Sequence, residues 1–303
     1  MQRSTSRSVN CQNHPEKKSF KLFDTTWCVK FKLRRLGLQT VLITGASSGI
    51  GRACAEVMAA NGFRLILSAR RASRLESISK DLRDRFDVPV HVCPFDVRSF
   101  DEVKLRLGAL PPQWKRVDIL INSAGVGRGW GRIQEGNIND WNETIDCNVK
   151  GLLYVTRLVL PGMIKRDKGH VVNIASISGI EAYANDAVYC ASKAAVRMLS
   201  DALKRDLLGT RIRVTTISPG MVRTEFQKVR HHGRTEPAAQ AYQGYTPLEP
   251  DDVAQIVLFA VTRPSRVNIN EVVVMPTDQA SPTLISLRGK ASRSSGVNRI
   301  SRA

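Results

Sequence analysis

The chain has 303 residues, 42% of them hydrophobic, and a formal net charge of +19. This length and composition allow a full hydrophobic core, which excludes a disordered chain and predicts one large domain or two small ones. No apolar run approaches the ~20 residues that span a membrane, and the first residues lack the apolar core of a signal peptide. Six cysteines stand singly without a CxxC pair, which argues against a disulfide scaffold and favours a reducing compartment.

The positive charge is concentrated at the two ends, because residues 1–38 carry +7 and residues 279–303 carry +5. We therefore predict a basic, partly disordered N-terminal extension over residues 1–38, a globular domain over residues 39–281 and a basic C-terminal tail over residues 282–303. The first fifteen residues contain Arg and Ser but no acidic residue. This composition resembles that of a mitochondrial transit peptide. We expect a cytoplasmic location, with a mitochondrial location as the alternative.

The first predicted element is a strand, turn and helix around V-L-I-T-G-A-S-S-G-I-G, residues 41–51. The chain would turn sharply at Gly45, a pyrophosphate would approach the backbone at Gly49, and the new helix would pack closely at Gly51. The free N–H groups and the positive end of that helix would face phosphates. Glycine-rich turns also occur without a ligand, so the spacing predicts a dinucleotide site only together with its surroundings.

Apolar runs alternate with amphipathic helical patterns along the rest of the chain. This alternation predicts an α/β fold, a single Rossmann-type doubly wound domain with about seven parallel strands and helices on both faces. The later strands are predicted at residues 64–68, 90–93, 118–121, 170–175, 212–217 and 271–274, and the long later helices near residues 141–164, 187–208 and 251–261. Residues 224–249 follow no clear pattern and predict a long loop, which is a candidate lid.

Ligands of such sheets bind beyond the carboxyl ends of the strands. The second strand is followed by Arg70 and Arg71, where a carboxylate would bind the ribose hydroxyls of NAD and repel a 2′-phosphate. Guanidinium groups have the opposite preference. The two arginines therefore favour NADP, although they could instead begin a solvated helix.

Ser176 follows the fifth strand, Tyr189 comes thirteen residues later, and Lys193 lies four residues further on the same helix face. A phenol has a reference pKa of about 10, which a nearby ammonium group can lower. Tyr189 could then exchange a proton with an alcohol or ketone, while Ser176 hydrogen-bonds the reacting oxygen and Lys193 holds the ribose. A single Y-x-x-x-K pattern is close to what chance would produce, so the prediction of an enzymatic site rests on the joint order of all the motifs along the chain.

Over residues 40–281 the sequence resembles the short-chain dehydrogenase/reductase family, in its T-G-x-x-x-G-x-G, Asn-x-Ala-Gly, Ser, Y-x-x-x-K and Pro-Gly elements. Ser123 replaces the second Asn of the family's N-N-A-G element, with little expected loss. The resemblance implies a catalytic role for Ser176, Tyr189, Lys193 and Asn148. It implies cofactor binding by Gly45, Ser47, Ser48, Gly49, Ile50, Gly51, Arg70, Arg71, Asp96, Val97, Asn122, Ala124, Gly125, Tyr189, Lys193, Pro219, Gly220, Val222 and Thr224.

Within that family the chain is similar to the NADP-dependent 3-hydroxy acid dehydrogenase group, through R-V-T-T-I-S-P-G-M-V-R-T-E-F-Q-K-V-R and V-N-I-N-E-V-V-V-M-P-T. This resemblance implies serine and related short 3-hydroxy acids as substrates and a homotetramer, with a homodimer as the alternative. A substrate carboxylate needs a cation. Arg230 is the predicted partner, followed by Arg223 and Arg128, and the substrate site is predicted to comprise Ser176, Tyr189 and Arg230. The alternative is that these arginines are exposed lid charges.

Other functions remain as alternatives at this point. A general carbonyl reductase for uncharged substrates would use the same catalytic residues, and a non-enzymatic binding protein would use the same fold. We expect a small-molecule substrate but no specific nucleic-acid partner, because no basic motif is interleaved with aromatic residues. We expect no metal, because His231 and His232 are adjacent and lack the spacing of ligands. Ser176 lacks the G-x-S-x-G elbow of a hydrolase.

Overall fold

The computed structural model of the protein describes residues 39–234 and 240–287. The predicted extension at residues 1–38 and residues 288–303 of the predicted tail lie outside the described residues. The predicted domain ended at residue 281, whereas Ile285 is buried and pairs with Gln279. The packed domain therefore extends into the segment that was assigned to the tail.

Seven parallel strands form one sheet. The strands are β1 Thr40–Thr44, β2 Arg64–Ser68, β3 Val90–Val92, β4 Ile119–Asn122, β5 Gly169–Ile174, β6 Ile212–Pro219 and β7 Glu271–Val274. Their order in the sheet is β3-β2-β1-β4-β5-β6-β7. This is the predicted doubly wound arrangement, since the strand order reverses beside β1. The registers align Thr44, Ser68 and Asn122 at one edge of the sheet, so the carboxyl ends of neighbouring strands meet there.

Helices cover both faces of the sheet and bury two apolar clusters. Side chains of a strand alternate between faces, so Val41 and Ile43 lie in one cluster and Leu42 lies in the other. The helices with described bounds are α1 Gly49–Ala60, α2 Ala72–Phe86, α3 Phe100–Gly108, α4 Ile138–Ile145, α5 Gly151–Lys165, α6 Ala187–Asp206, α7 Phe226–Arg230 and α8 Pro250–Val261. The first cluster includes residues of α1, α2 and α8, and the second includes residues of α3 and α5.

The predicted helix over residues 141–164 is interrupted in the structure by a π-helical turn, Asp146–Lys150. Asn148 lies in this turn, and its amide group hydrogen-bonds both backbone polar groups of Val126. Such turns are frequent at functional sites. The interruption was not predicted, because residues 146–150 contain neither Gly nor Pro and the contacts of Asn148 are with a loop that is distant in the sequence.

Where it is described, at residues 224–234 and 240–249, the predicted lid loop includes a short helix, α7, which follows β6. Two of its residues, Gln227 and Arg230, are buried, so the segment packs on the domain. In the described part of the chain, no helix has both the length and the apolar character needed to cross a bilayer.

Candidate active site

The turn between β1 and α1 forms one wall of a cavity of about 530 Å³ at the carboxyl ends of the strands. Gly45 and Gly49 have φ angles of 69° and 53°, where a side chain would introduce strain. A Cβ atom on Gly51 would collide with the carbonyl oxygen of Gly45. The glycines thus fit the roles proposed for them, and α1 begins with free N–H groups directly beside the cavity.

Arg71 is held against this turn by serine hydroxyls. Its Nη2 atom donates to Ser47 Oγ at 3.0 Å and to Ser48 Oγ at 2.9 Å, and its Nε atom also donates to Ser47 Oγ. Arg70 instead approaches Glu143, with Nη1 at 3.5 Å from Oε1. Both arginines line the cavity, so this end of the site offers two guanidinium groups to an anion.

Asp96 lies at the same end of the cavity, beside Val97. Its carboxylate accepts hydrogen bonds from Arg98, including one at 2.6 Å from Nη2 to Oδ2. Burial acts to raise the pKa of Asp96, but the hydrogen bonds and charge of Arg98, with a contribution from Arg70, bring it below the ordinary value. Asp96 is therefore ionised at neutral pH. Sequence reasoning missed Arg98, although it stands only two residues after Asp96.

The predicted proton-transfer residues meet at the other end of the cavity. Ser176 follows β5, and Tyr189 and Lys193 lie in the first two turns of α6 with their side chains buried. Burial raises the pKa of Tyr189 to about 12, against the charge of Arg230 and a hydrogen bond with Ser176, which lower it. Burial lowers the pKa of Lys193 to about 8, and its Nζ atom donates to the carbonyl oxygen of Ile174 at 2.9 Å.

The cation nearest the ring of Tyr189 is not the one that the sequence indicated. The Cζ atom of Arg230 lies 5.1 Å from the ring centroid of Tyr189, and Nζ of Lys193 lies 5.9 Å away. Of the groups that lower the pKa of Tyr189, Arg230 has the largest effect. The predicted effect of Lys193 on this pKa is thus supplied by Arg230 in the structure.

Two predicted site residues, Asn122 and Asn148, do not line the cavity, whereas all the others do. Asn122 donates to Thr156 Oγ1 and Asn173 Oδ1 and so ties β4 to its neighbours. Asn148 donates to Ser192 Oγ at 2.9 Å in addition to its contacts with Val126. Both amides therefore brace the wall behind the cavity. The strand end at Ser123 is intact, since its backbone N–H donates to Thr44 Oγ1.

Arg230 lies in the cavity wall and is only 3% exposed. Its guanidinium group packs against the rings of Trp130, Tyr189 and Phe226. The Nη2 atom lies 2.7 Å from Oδ2 of Asp186, and the Nε atom is buried without a hydrogen-bond partner among the described residues. The alternative of an exposed lid charge is thus excluded for Arg230.

The other two candidate arginines are placed differently. Arg223 pairs with Glu249 at 2.8 Å, is half exposed and does not line the cavity. Arg128 does line the cavity, but it binds the Glu143 carboxylate at 2.8 Å and the carbonyl oxygen of Val229 at 2.6 Å. Of these three candidates, Arg230 is therefore the arginine that lies against Tyr189 with an N–H donor that has no partner among the described residues.

Sequence reasoning missed a buried polar chain behind this end of the cavity. Ser176 Oγ donates to Ser178 Oγ at 3.1 Å, and Ser178 Oγ lies 3.2 Å from the hydroxyl of Tyr183. The Tyr183 hydroxyl in turn donates to Asp186 at 2.7 Å. Burial raises the pKa of Asp186, while Arg230 and Tyr183 lower it. The sequence shows Asp186 three residues before Tyr189, but the burial that gives this carboxylate its role is visible only in the structure. No group of three or more potential metal ligands occurs within residues 39–234 and 240–287.

A glycine turn, a cluster of arginines and a buried Ser, Tyr and Lys along one cavity define an oxidoreductase built to hold a dinucleotide. The chain belongs to the short chain dehydrogenase family, whose model matches residues 39–235. The predictions of this family, of the fold and of the enzyme class are thereby confirmed.

Several relatives of the chain are named as dehydrogenases. It is 41% identical over 241 residues to the NADP-dependent 3-hydroxy acid dehydrogenase YdfG of Salmonella typhi, covering 79% of this chain and 96% of the relative. It is 39% identical over 248 residues to the NADP-dependent 3-hydroxy acid dehydrogenase of Schizosaccharomyces pombe, covering 82% and 96%. The closed form of serine dehydrogenase complexed with NADP+ superimposes with a TM-score of 0.77 at 40% identity, covering 81% of this chain and 98% of that one.

Proposed function

We propose that this NADP-dependent oxidoreductase interconverts a short, serine-like 3-hydroxy acid and its 3-oxo acid. The observation that carries the proposal is the buried Arg230, which has an unpartnered Nε donor and lies against the ring of Tyr189. Relatives named for 3-hydroxy acids and for NADP support it.

The residues of the cavity fit NADP. The glycine turn removes the Cβ atoms that would obstruct a pyrophosphate, and Arg70 and Arg71 supply guanidinium groups for a 2′-phosphate. When bound, the cofactor supplies the acceptor or donor of a hydride. Asp96 is placed at the same end, where its ionised carboxylate can accept hydrogen bonds.

Tyr189 carries the proton in this proposal. In the oxidation direction the alcohol loses its hydroxyl proton to the phenolate oxygen of Tyr189, and its carbon loses a hydride. In the reduction direction the neutral phenol returns the proton to the carbonyl oxygen. With a pKa raised to about 12, the phenol is the form present at neutral pH, so the oxidation rate is expected to rise with pH. Ser176 would hold the reacting oxygen through its hydroxyl group.

Arg230 would bind the substrate carboxylate. A buried guanidinium group with an unused N–H can form a charge-assisted hydrogen bond, which is among the stronger polar contacts in proteins. Asp186 already neutralises part of this charge, so the same geometry also favours a second candidate. With the ion pair closed and Trp130 and Phe226 in the wall, the cavity would accept an uncharged carbonyl compound.

The test is NADP reduction by the purified full chain with L-serine, 3-hydroxybutyrate, 3-hydroxyisobutyrate and an uncharged secondary alcohol, each repeated with NAD. Turnover of the acids with NADP alone, lost in Tyr189→Phe and kept in the control Tyr154→Phe, is the expected result. Tyr154 is a suitable control because it packs on Phe100 of α3 and does not line the cavity. Turnover of the alcohol alone would favour the carbonyl reductase.

The carboxylate role needs a separate variant. Arg230→Ala is expected to raise KM for the hydroxy acids and to leave an uncharged alcohol little affected, whereas Arg223→Ala in the same lid changes neither. Equal losses for charged and uncharged substrates would contradict a role in carboxylate binding. The useful readout is the ratio of KM for the hydroxy acids to KM for the uncharged alcohol, because loss of the buried ion pair also lowers the stability of the protein.

The proposal includes a homotetramer, with a homodimer as the alternative, and light scattering on the full chain tests it. It also includes a cytoplasmic location, against the mitochondrial alternative, which imaging of the full chain with a C-terminal tag tests.

A further inference from the structure

A carboxylate of the lid occupies the arginines at the end of β2. Glu225 Oε2 lies 3.0 Å from Nη1 of Arg71, and Glu225 Oε1 lies 2.9 Å from Nη1 of Arg74. Glu225 comes from the far side of the chain in sequence, directly before α7. One carboxylate therefore bridges two guanidinium groups beside the glycine turn.

The donors of Arg71 are divided between two partners. Nε and Nη2 bind the serine hydroxyls of the turn between β1 and α1, and Nη1 binds Glu225. Glu225, Arg71, Ser47 and Ser48 all line the cavity. The side chain of Glu225 thus stands at the group that is proposed to receive the 2′-phosphate, and it uses the same kind of bond that a phosphate oxygen would use.

Glu225 carries its charge at neutral pH. Burial acts to raise its pKa, but hydrogen bonds and charges from Arg71 and Arg74 lower it below the ordinary value. Both ion pairs are about half exposed, and exposed pairs are weak. An anion with a higher charge can therefore displace the carboxylate, and the carboxylate can return when the anion leaves.

We propose that Glu225 is an exchangeable internal occupant of the 2′-phosphate site, which competes with the cofactor's phosphate and promotes cofactor release. The proposal rests on NADP being the cofactor, but it does not depend on the substrate. A cofactor without the 2′-phosphate would leave the contacts of Glu225 with Arg71 and Arg74 unchanged. Glu225 therefore lowers affinity for the phosphorylated cofactor selectively.

The test compares the wild type with Glu225→Gln by calorimetric titration with 2′,5′-ADP and 5′-AMP and by stopped-flow dissociation of NADPH and NADH. Glu225→Gln is expected to bind 2′,5′-ADP and NADPH about three- to tenfold more tightly, mainly through slower dissociation, with 5′-AMP and NADH unchanged. Glu56→Gln is the matched control, because Glu56 pairs with Arg52 on α1 at 2.9 Å and does not line the cavity.

Each other outcome overturns the proposal. No change in NADPH binding would show that Glu225 does not compete, and weaker binding would show that it helps to organise the arginines. Equal tightening of NADPH and NADH would assign Glu225 to a general lid effect. A wild type that does not prefer 2′,5′-ADP over 5′-AMP would overturn both this inference and the NADP site, whereas failure of the hydroxy acids as substrates would leave these binding results intact.

A second set of variants tests whether the effect of Glu225 depends on Arg71 and Arg74. In an Arg71→Ala, Arg74→Ala background, Glu225→Gln is expected to have less effect on 2′,5′-ADP binding than in the wild type. The coupling between these positions measures the competition directly. If the effects of the Glu225 and arginine substitutions on binding free energy were fully additive, the proposed competition would be contradicted.

Discussion

Asp186→Asn tests whether the charge of Arg230 is shared between an internal carboxylate and the substrate. Asp186 is 5% exposed, and its Oδ2 atom lies 2.7 Å from Nη2 of Arg230. It also accepts a hydrogen bond of 2.7 Å from the hydroxyl group of Tyr183. Asn keeps the shape and one acceptor but removes the negative charge. Arg230 is then left as an uncompensated buried cation, which costs about 3 kcal/mol of unfolding free energy. For a domain of this size that loss corresponds to a Tm lower by about 6 to 12 °C.

The same variant should change catalysis in a direction that instability alone does not produce. Arg230 lowers the pKa of Tyr189, and Asp186 raises it. Removal of the Asp186 charge therefore shifts the alkaline rise of the oxidation rate to lower pH. It also frees Arg230 for a carboxylate, so KM for a hydroxy acid should fall relative to KM for an uncharged alcohol.

The assays are chemical denaturation and pH profiles of kcat with both substrate classes, with Asp201→Asn as the control. Asp201 lies on α6, the helix that begins directly after Asp186, but it forms an exposed pair with Arg205 at 2.9 Å. An unchanged pH profile together with an unchanged KM ratio would refute the reasoning, even if Tm falls.

Two further predictions concern the buried lysine and the glycine turn. Burial lowers the pKa of Lys193 from 10.5 to about 8. Between these pH values the unfolded chain binds more protons than the folded chain, so the stability of the wild type rises with pH. Lys193→Met should therefore be more stable than the wild type at pH 7 by up to about 3 kcal/mol, and denaturation curves should show this difference shrinking from pH 8 to 10.5. A difference that stays constant with pH would show that Lys193 is not desolvated. Gly51→Ala should lose about 1 to 3 kcal/mol of stability and most NADPH affinity in a fluorescence titration, because its Cβ meets the Gly45 carbonyl. Gly108→Ala, which has open space around its Cβ position, should lose neither.

Sequence patterns located the strands well because buried parallel strands are short continuous apolar runs. The range predicted at residues 64–68 coincides with the buried strand β2, and the range at 271–274 coincides with β7, an apolar strand at the sheet edge that is only partly buried. The Tyr189 and Lys193 pair was also predictable, since its spacing is a property of a single helix. These successes share one cause, which is that the information lies within a few neighbouring residues.

The missed features depend on residues that are distant in the chain. The π-helical turn is stabilised by contacts of Asn148 with Val126 and Ser192, and no local pattern records them. Glu225 and Arg71 are separated by 154 positions. The partner of Arg230 was missed for a different reason, because Asp186 looks like an ordinary helix-start acid until its burial is known. Pairing and burial therefore required the structure.

The two proposed anion sites of the cavity share a feature that leads to a last prediction. Glu225 covers Arg71 and Arg74 at one end, and Asp186 covers Arg230 at the other. In a chain with a net charge of +19, uncovered arginines would attract small anions as well as the intended ligands.

Internal carboxylates would exclude weakly bound anions, because such ions gain too little to displace them, while a ligand with further contacts can do so. Inorganic phosphate should therefore compete poorly with NADPH in the wild type and about three- to tenfold more strongly in Glu225→Gln. The measurement is the NADPH dissociation constant across a phosphate series at fixed ionic strength, with Glu56→Gln as the control. If phosphate competes equally with both proteins, Glu225 does not screen the site, and the arginines must discriminate between anions by geometry alone.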